Sequence, residues 1–146
     1  MIISEIKGNL RDEKDTLPHV ERVYLRSDEL VKRIQRVKTD HGKELGIKLS
    51  KPKDLVDGDI LYRADDNMII VSVLEDEVIV IYPNSLKQMG EVAHMLGNRH
   101  LPAQFEGDEM IVQHDYLVIQ LLTELNISHV LEKRKMKEAF KYIGHD

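Results

Sequence analysis

The first 74 residues contain no apolar pattern long enough for a helix, which bars a helical bundle for half of the chain. They consist of short apolar stretches between polar turns. Ile2, Ile3 and Ile6 open one strand, and Val20, Val23 and Leu25 lie in another after Pro18. Residues 34–37 alternate apolar and polar, as a half-exposed strand does. Asp40-His41-Gly42 is a hairpin signal, because glycine supplies the positive φ that tight turns require. Leu45, Ile47 and Leu49 alternate on the return strand. Pro52 and then Asp57-Gly58-Asp59 interrupt the chain, Ile60-Leu61-Tyr62 forms a short strand, and residues 67–74 form a last apolar one. Many short strands with polar turns predict a small β-sandwich or barrel.

From residue 75 the pattern changes. Val78-Ile79-Val80-Ile81-Tyr82 is a β-branched run of the kind found in a central buried strand, and Pro83 ends it. Asn84 or Ser85 can cap a helix running to about Leu96, with Leu86, Met89, Ala93 and Leu96 on one face and Gly97 as the residue just past its end. Gly107-Asp108 turns a hairpin between Phe105 and Met110-Ile111-Val112. Asp115 can cap a second helix, nearly all apolar from Tyr116 to Leu125, and Asn126 leads into a strand around His129-Val130-Leu131. The order β-α-β-β-α-β is that of a ferredoxin-like split βαβ unit. Met136, Phe140 and Ile143 at helical spacing predict a short amphipathic helix in the tail. The expectation is an α+β protein: a small all-β domain over residues 1–74, then a ferredoxin-like βαββαβ domain with a tail over residues 75–146. Glu75-Asp76-Glu77 marks the boundary.

The net charge of −5 gives no general pull toward nucleic acid or anionic membrane. No apolar run approaches the roughly 20 residues that span a bilayer, and the first residues do not read as a signal peptide, so the expected compartment is the cytoplasm. The chain has no cysteine, which removes thiolate metal sites and thiol nucleophiles. A divalent transition metal would have to be held by imidazole, with carboxylate or water completing its shell.

Seven histidines occur, with no His-x-His pair and no His-Glu-x-x-His. His41 in a hairpin turn reads as solvated, and His19 in a loop after Pro18 carries little information. His129 on a strand reads as exposed or satisfied by a backbone carbonyl. His100 stands apart, because Leu96-Gly97-Asn98-Arg99-His100-Leu101-Pro102 holds it between a helix stop and a proline. One imidazole per chain is a poor metal site, since transition ions take four to six ligands. A two-fold axis would change that by bringing two copies together. The apolar second helix favours such pairing if one side is left uncovered, although burial within the monomer would explain it equally. His145 near the end can swing onto a metal or simply belong to a loose tail, and His114 is a secondary candidate where the hairpin meets the second helix.

The segment Leu96-Gly97-Asn98-Arg99-His100-Leu101-Pro102, with the hairpin Asp40-His41-Gly42-Lys43-Glu44-Leu45-Gly46-Ile47-Lys48-Leu49 and the turn Leu55-Val56-Asp57-Gly58-Asp59-Ile60-Leu61, resembles the urease accessory nickel metallochaperones, the UreE family. The resemblance runs essentially end to end. It implies a first domain over residues 1–74 similar to a peptide-binding chaperone module, a ferredoxin-like second domain, and a homodimer, compatible with a metal-linked tetramer, that binds Ni²⁺ and can also take Zn²⁺ or Cu²⁺. It further implies delivery of nickel to the urease maturation complex through that complex's GTPase. The histidine of the Gly-Asn-Arg-His motif is the family's interfacial ligand, here His100. His145 matches a short-tail form in which a terminal histidine adds to the site. His114 matches the first position of a downstream His-x-His pair found in some members, but Tyr116 occupies the second.

Three other functions compete. A general protein-binding chaperone or adaptor would leave metal binding incidental. A metal-dependent hydrolase would need an open metal position beside a general base. The 26 acidic residues form no local motif with a histidine except His114-Asp115, more simply a helix cap. A nucleic-acid module is disfavoured by the acidic balance and by the lack of a basic, aromatic central strand.

Overall fold

The first 74 residues of the chain carry β1 (Ile2–Ile3), β2 (His19–Leu25), β3 (Ile34–Lys38), β4 (Glu44–Lys48), β5 (Ile60–Arg63) and β6 (Asn67–Val73). The computed structural model describes residues 1–141. Strands β1, β4 and β3 form one sheet in that order, and β2, β6 and β5 form another. The alternation read between residues 34 and 49 becomes the β3–β4 hairpin, with Val37 opposite Leu45 and Gln35 opposite Ile47. Gly42 adopts φ 83° in its turn, and the buried Thr39 braces it by accepting from the backbone N–H groups of His41 and Lys43. Ile3, Leu45 and Ile47 from one sheet share a core with Val23, Leu25, Leu61, Ile69, Val71 and Val73 from the other. The two sheets enclose this common apolar layer, and Ile60, Met68 and Ile70 of the β2-β6-β5 sheet bury a second, smaller cluster.

Two short 3₁₀ helices, Leu10–Asp12 and Ser27–Val31, have no counterpart in the sequence pattern. They are too short to show helical periodicity, yet the second places Leu30 in the core. Strand β1 also stops at Ile3, short of the Ile6 expected to continue it.

This first unit comprises Met1–Leu74 together with Lys135–Ala139. The expected helix around Met136 and Phe140 does not form: strand β10 (His129–Lys135) runs through its start, and residues 136–141 are irregular. Buried Ala139 belongs to the first unit's core, and the Asp57 amide donates to Lys137 O at 3.1 Å. Tertiary contacts thus outweigh a weak local helical pattern. Ile143, the last residue of that pattern, lies outside the described residues.

The second unit is built on Glu75–Arg134. It carries β7 (Glu75–Ile81), α1 (Leu86–Asn98), β8 (Ala103–Glu106), β9 (Glu109–Gln113), α2 (Tyr116–Glu124) and then β10. The sheet order is β10-β7-β9-β8, with β9 antiparallel to both β7 and β8. The continuous β-branched run of β7 is central and fully buried from Val78 to Ile81. Helices α1 and α2 cover the sheet through Val92, Leu96, Val118 and Leu122. Leu86, expected on the inner face of α1, is 90% exposed, because it begins the first turn before the helix reaches the sheet.

Candidate metal site

Helix α1 is started by Ser85, whose hydroxyl accepts from the Gln88 N–H at 3.0 Å. It does not stop at Gly97 as the sequence predicts. Gly97 remains helical, Arg99 is the C-cap, and His100 is the first residue beyond, at φ 59°. The His100 amide donates to Gly97 O at 2.9 Å and the Leu101 amide to Leu96 O at 3.1 Å. These are the two bonds of a Schellman motif, and Leu101 packs on the same core as Leu96. The left-handed place in this motif favours glycine, then asparagine. Here it holds an exposed histidine, whose orientation is fixed by two backbone bonds and by Pro102 two residues on.

Helix α2 ends the same way. Asn126 takes φ 58°, its amide donates to Thr123 O, and the Ile127 amide donates to Leu122 O. Its start is capped as predicted: the Asp115 carboxylate accepts from the amides of Leu117 and Val118. His114, just before that cap, is exposed, gives its N–H to Glu77 O, and lies edge-on to Tyr116 with ring centroids 5.7 Å apart. Tyr116 fills the place where a second imidazole would stand in a His-x-His pair. His129 is satisfied by a backbone carbonyl, its Nδ1 lying 2.8 Å from Ile127 O.

His145 lies outside the described residues. Among the described residues no three His, Asp or Glu side chains gather in the arrangement of a metal site. The described residues of one chain therefore do not complete a coordination shell around His100. The α2 surface bears on this: Tyr116 is 82% and Leu117 66% exposed. Part of the apolar surface of this helix is thus uncovered, which decides against the reading that the helix is wholly buried in its own unit.

One histidine pair was missed by sequence reasoning. His19 at the start of β2 and His41 in the β3–β4 turn place their Nε2 atoms 2.7 Å apart, although 22 residues separate them. Both are exposed, as expected for His41, yet neither is isolated, and His19, read as a loop residue, begins β2. The local signal was Asp40-His41, where the Asp40 carboxylate lies 2.7 Å from His41 Nδ1. Asp40 is held below the usual carboxylate range by the Arg22 amide and by His41. Beside the pair, buried Glu21 accepts from Thr39 and Asn67, which hold its carboxyl low in the same way.

Comparison with known proteins places this architecture. The profile described as "UreE urease accessory protein, N-terminal domain" matches residues 3–74, and that described as "UreE urease accessory protein, C-terminal domain" matches residues 76–141. The urease accessory proteins UreE of Bacillus sp. (strain TB-90) and Geobacillus kaustophilus (strain HTA426) are each 61% identical over 145 residues, covering 99% of this chain and 98% of theirs. That of Staphylococcus epidermidis (strain ATCC 12228) is 58% identical over 149 residues, with the same coverage. Members of this family are accessory proteins rather than enzymes. With both domain profiles matched in order and more than half of all positions shared along nearly the whole length, the chain belongs to the UreE family of urease accessory proteins.

Proposed function

We propose that the protein is a cytoplasmic nickel carrier that holds Ni²⁺ between two copies of itself and releases it for assembly of the urease active site. The observation that carries this reading is His100: an exposed imidazole in a left-handed backbone position that glycine or asparagine would fill more easily. Backbone conformations of this kind persist where the side chain has work to do. The exposed apolar residues of α2 support an isologous dimer, which would supply the second His100. The sheet order β10-β7-β9-β8 supports reading the second unit as ferredoxin-like.

In this mechanism two His100 nitrogens hold the ion at about 2.0–2.1 Å, and His145 from either tail completes or guards the shell. His114 is a further ligand candidate, set by its exposure beside α2. Imidazole suits Ni²⁺, Cu²⁺ and Zn²⁺ alike, and Cu²⁺ binds such sets more tightly than Ni²⁺. Selectivity then rests on metal supply and on the docking partner. A shell with few protein ligands favours handover, because incoming ligands can replace outgoing ones stepwise. The partner is the urease maturation complex with its GTPase, and two dimers can share one ion as a tetramer. The exposed Ile2 and Ile34 on the β1-β4-β3 sheet offer the first unit an apolar surface for a protein partner.

Titration of Ni²⁺ into the full chain, monitored calorimetrically alongside mass in solution, tests the assignment. We expect one tightly held ion per dimer in the native chain and loss of that ion in His100→Ala. Unchanged affinity and stoichiometry in the variant would reject it.

A further inference from the structure

We propose that His19 and His41 form a second divalent-metal site, of the imidazole-binding transition-ion class, on the first unit of each chain. The two Nε2 atoms are 2.7 Å apart and the rings meet at 76°, with centroids 4.6 Å apart. Two ring nitrogens at that distance are held together by a proton between them, donated by one and accepted by the other. A metal ion can replace that proton. With metal–nitrogen bonds of about 2.0–2.1 Å, the nitrogens would stand roughly 2.9 Å apart at a right-angle bite and about 3.3 Å apart at the tetrahedral angle. The pair therefore needs to open by about 0.2–0.6 Å, with both ring lone pairs turned toward the ion.

The surroundings favour the metal-binding tautomer. His41 Nδ1 faces the Asp40 carboxylate at 2.7 Å, and that same oxygen accepts the Arg22 amide at 3.0 Å. An imidazole that donates its Nδ1–H to a fixed carboxylate presents an Nε2 lone pair, the carboxylate–histidine–metal arrangement. The turn that carries His41 is pinned in turn by Thr39. His19 lies on β2 in register with Asn67, whose amide nitrogen is held by Glu21 while its buried Oδ1 meets no donor among the described residues. Among the described residues no third His, Asp or Glu side chain joins the pair in ligating geometry, so water completes the shell and the site is weaker than one with four protein ligands. It is separate in sequence and in structural unit from His100, and it does not require a dimer.

The test uses the full chain carrying His100→Ala and His145→Ala, so that ions at the proposed carrier site do not contribute. Zn²⁺ is added while the imidazole ¹⁵N resonances are followed. We expect the Nε2 signals of His19 and His41 to move together, saturating at one ion per chain. His19→Asn in this background should weaken the response of His41 at least tenfold. Asp40→Asn, which keeps the oxygen that caps the Arg22 amide, should weaken it about 10-fold or more while leaving the folded dispersion of the spectrum intact. The proposal is overturned if either Nε2 stays still under excess Zn²⁺, or if His41 responds equally with His19 replaced. Because His100 is absent throughout, these outcomes are independent of the nickel-carrier reading.

Discussion

His100 and Asn126 occupy the same place in two helix ends of the same design, one ordinary for its residue and one not. The difference yields a prediction with opposite signs for stability and function. His100→Gly should raise the metal-free stability by about 1 kcal/mol in urea unfolding, because glycine meets no Cβ penalty at positive φ. The same variant should lose the Ni²⁺ proposed to sit between two copies. A destabilised variant would show that His100 is held there by packing rather than kept for its ring. Glu21 offers a second prediction at this scale. Its carboxyl is held low by Asn67 and then Thr39, so the unfolded chain takes up its proton first as pH falls. Its contribution to stability is complete above the unfolded value of about 4.3 and is lost as pH falls through the lower folded value. Replacement by glutamine should therefore flatten the acid limb of the stability curve below about pH 5. An unaltered limb in acid-dependent unfolding would contradict the assignment.

At the scale of elements, the helix starts were legible and the helix stop was not. Ser85 and Asp115 are read directly as caps, since an oxygen acceptor before an apolar periodic run has one obvious use. Asp115→Ala should cost about 1 kcal/mol and speed amide exchange at Leu117 and Val118. If those amides exchange at the native rate, the cap is not what holds the first turn. Gly97 misled because glycine commonly follows a helix. The choice of stop was made by Leu101, which reaches the same core as Leu96 only if the chain turns at His100. The tail failed for a related reason: Ala139 has a place in the first unit's core, and β10 continues through Lys135. Arg134 reinforces that extended course through ion pairs with Glu106, Glu109 and Glu132, contacts invisible to a reading of periodicity.

At the scale of the whole molecule, the uncovered side of α2 is the feature that asks for a second copy. Tyr116 and Leu117 lie beside each other there, with Leu125 at 51% exposure near the helix end. Leu117→Arg should convert a dimer to a monomer in sedimentation, with the far-ultraviolet dichroism unchanged because the residue has little contact with its own core. It should also abolish shared Ni²⁺ while leaving His100 intact. Persistence of the dimer would place the interface elsewhere.

The amino-acid order alone determined the strand-rich first half, the β-α-β-β-α-β order of the second and both helix starts. Each of these follows from local rules: alternation, helical spacing, capping and the geometry of glycine and proline. Tertiary structure alone decided which residue takes the left-handed turn after α1, where the chain goes after β10, and that His19 meets His41. Those outcomes depend on burial and on strand register, which join residues far apart in sequence and leave no mark in any short window of it.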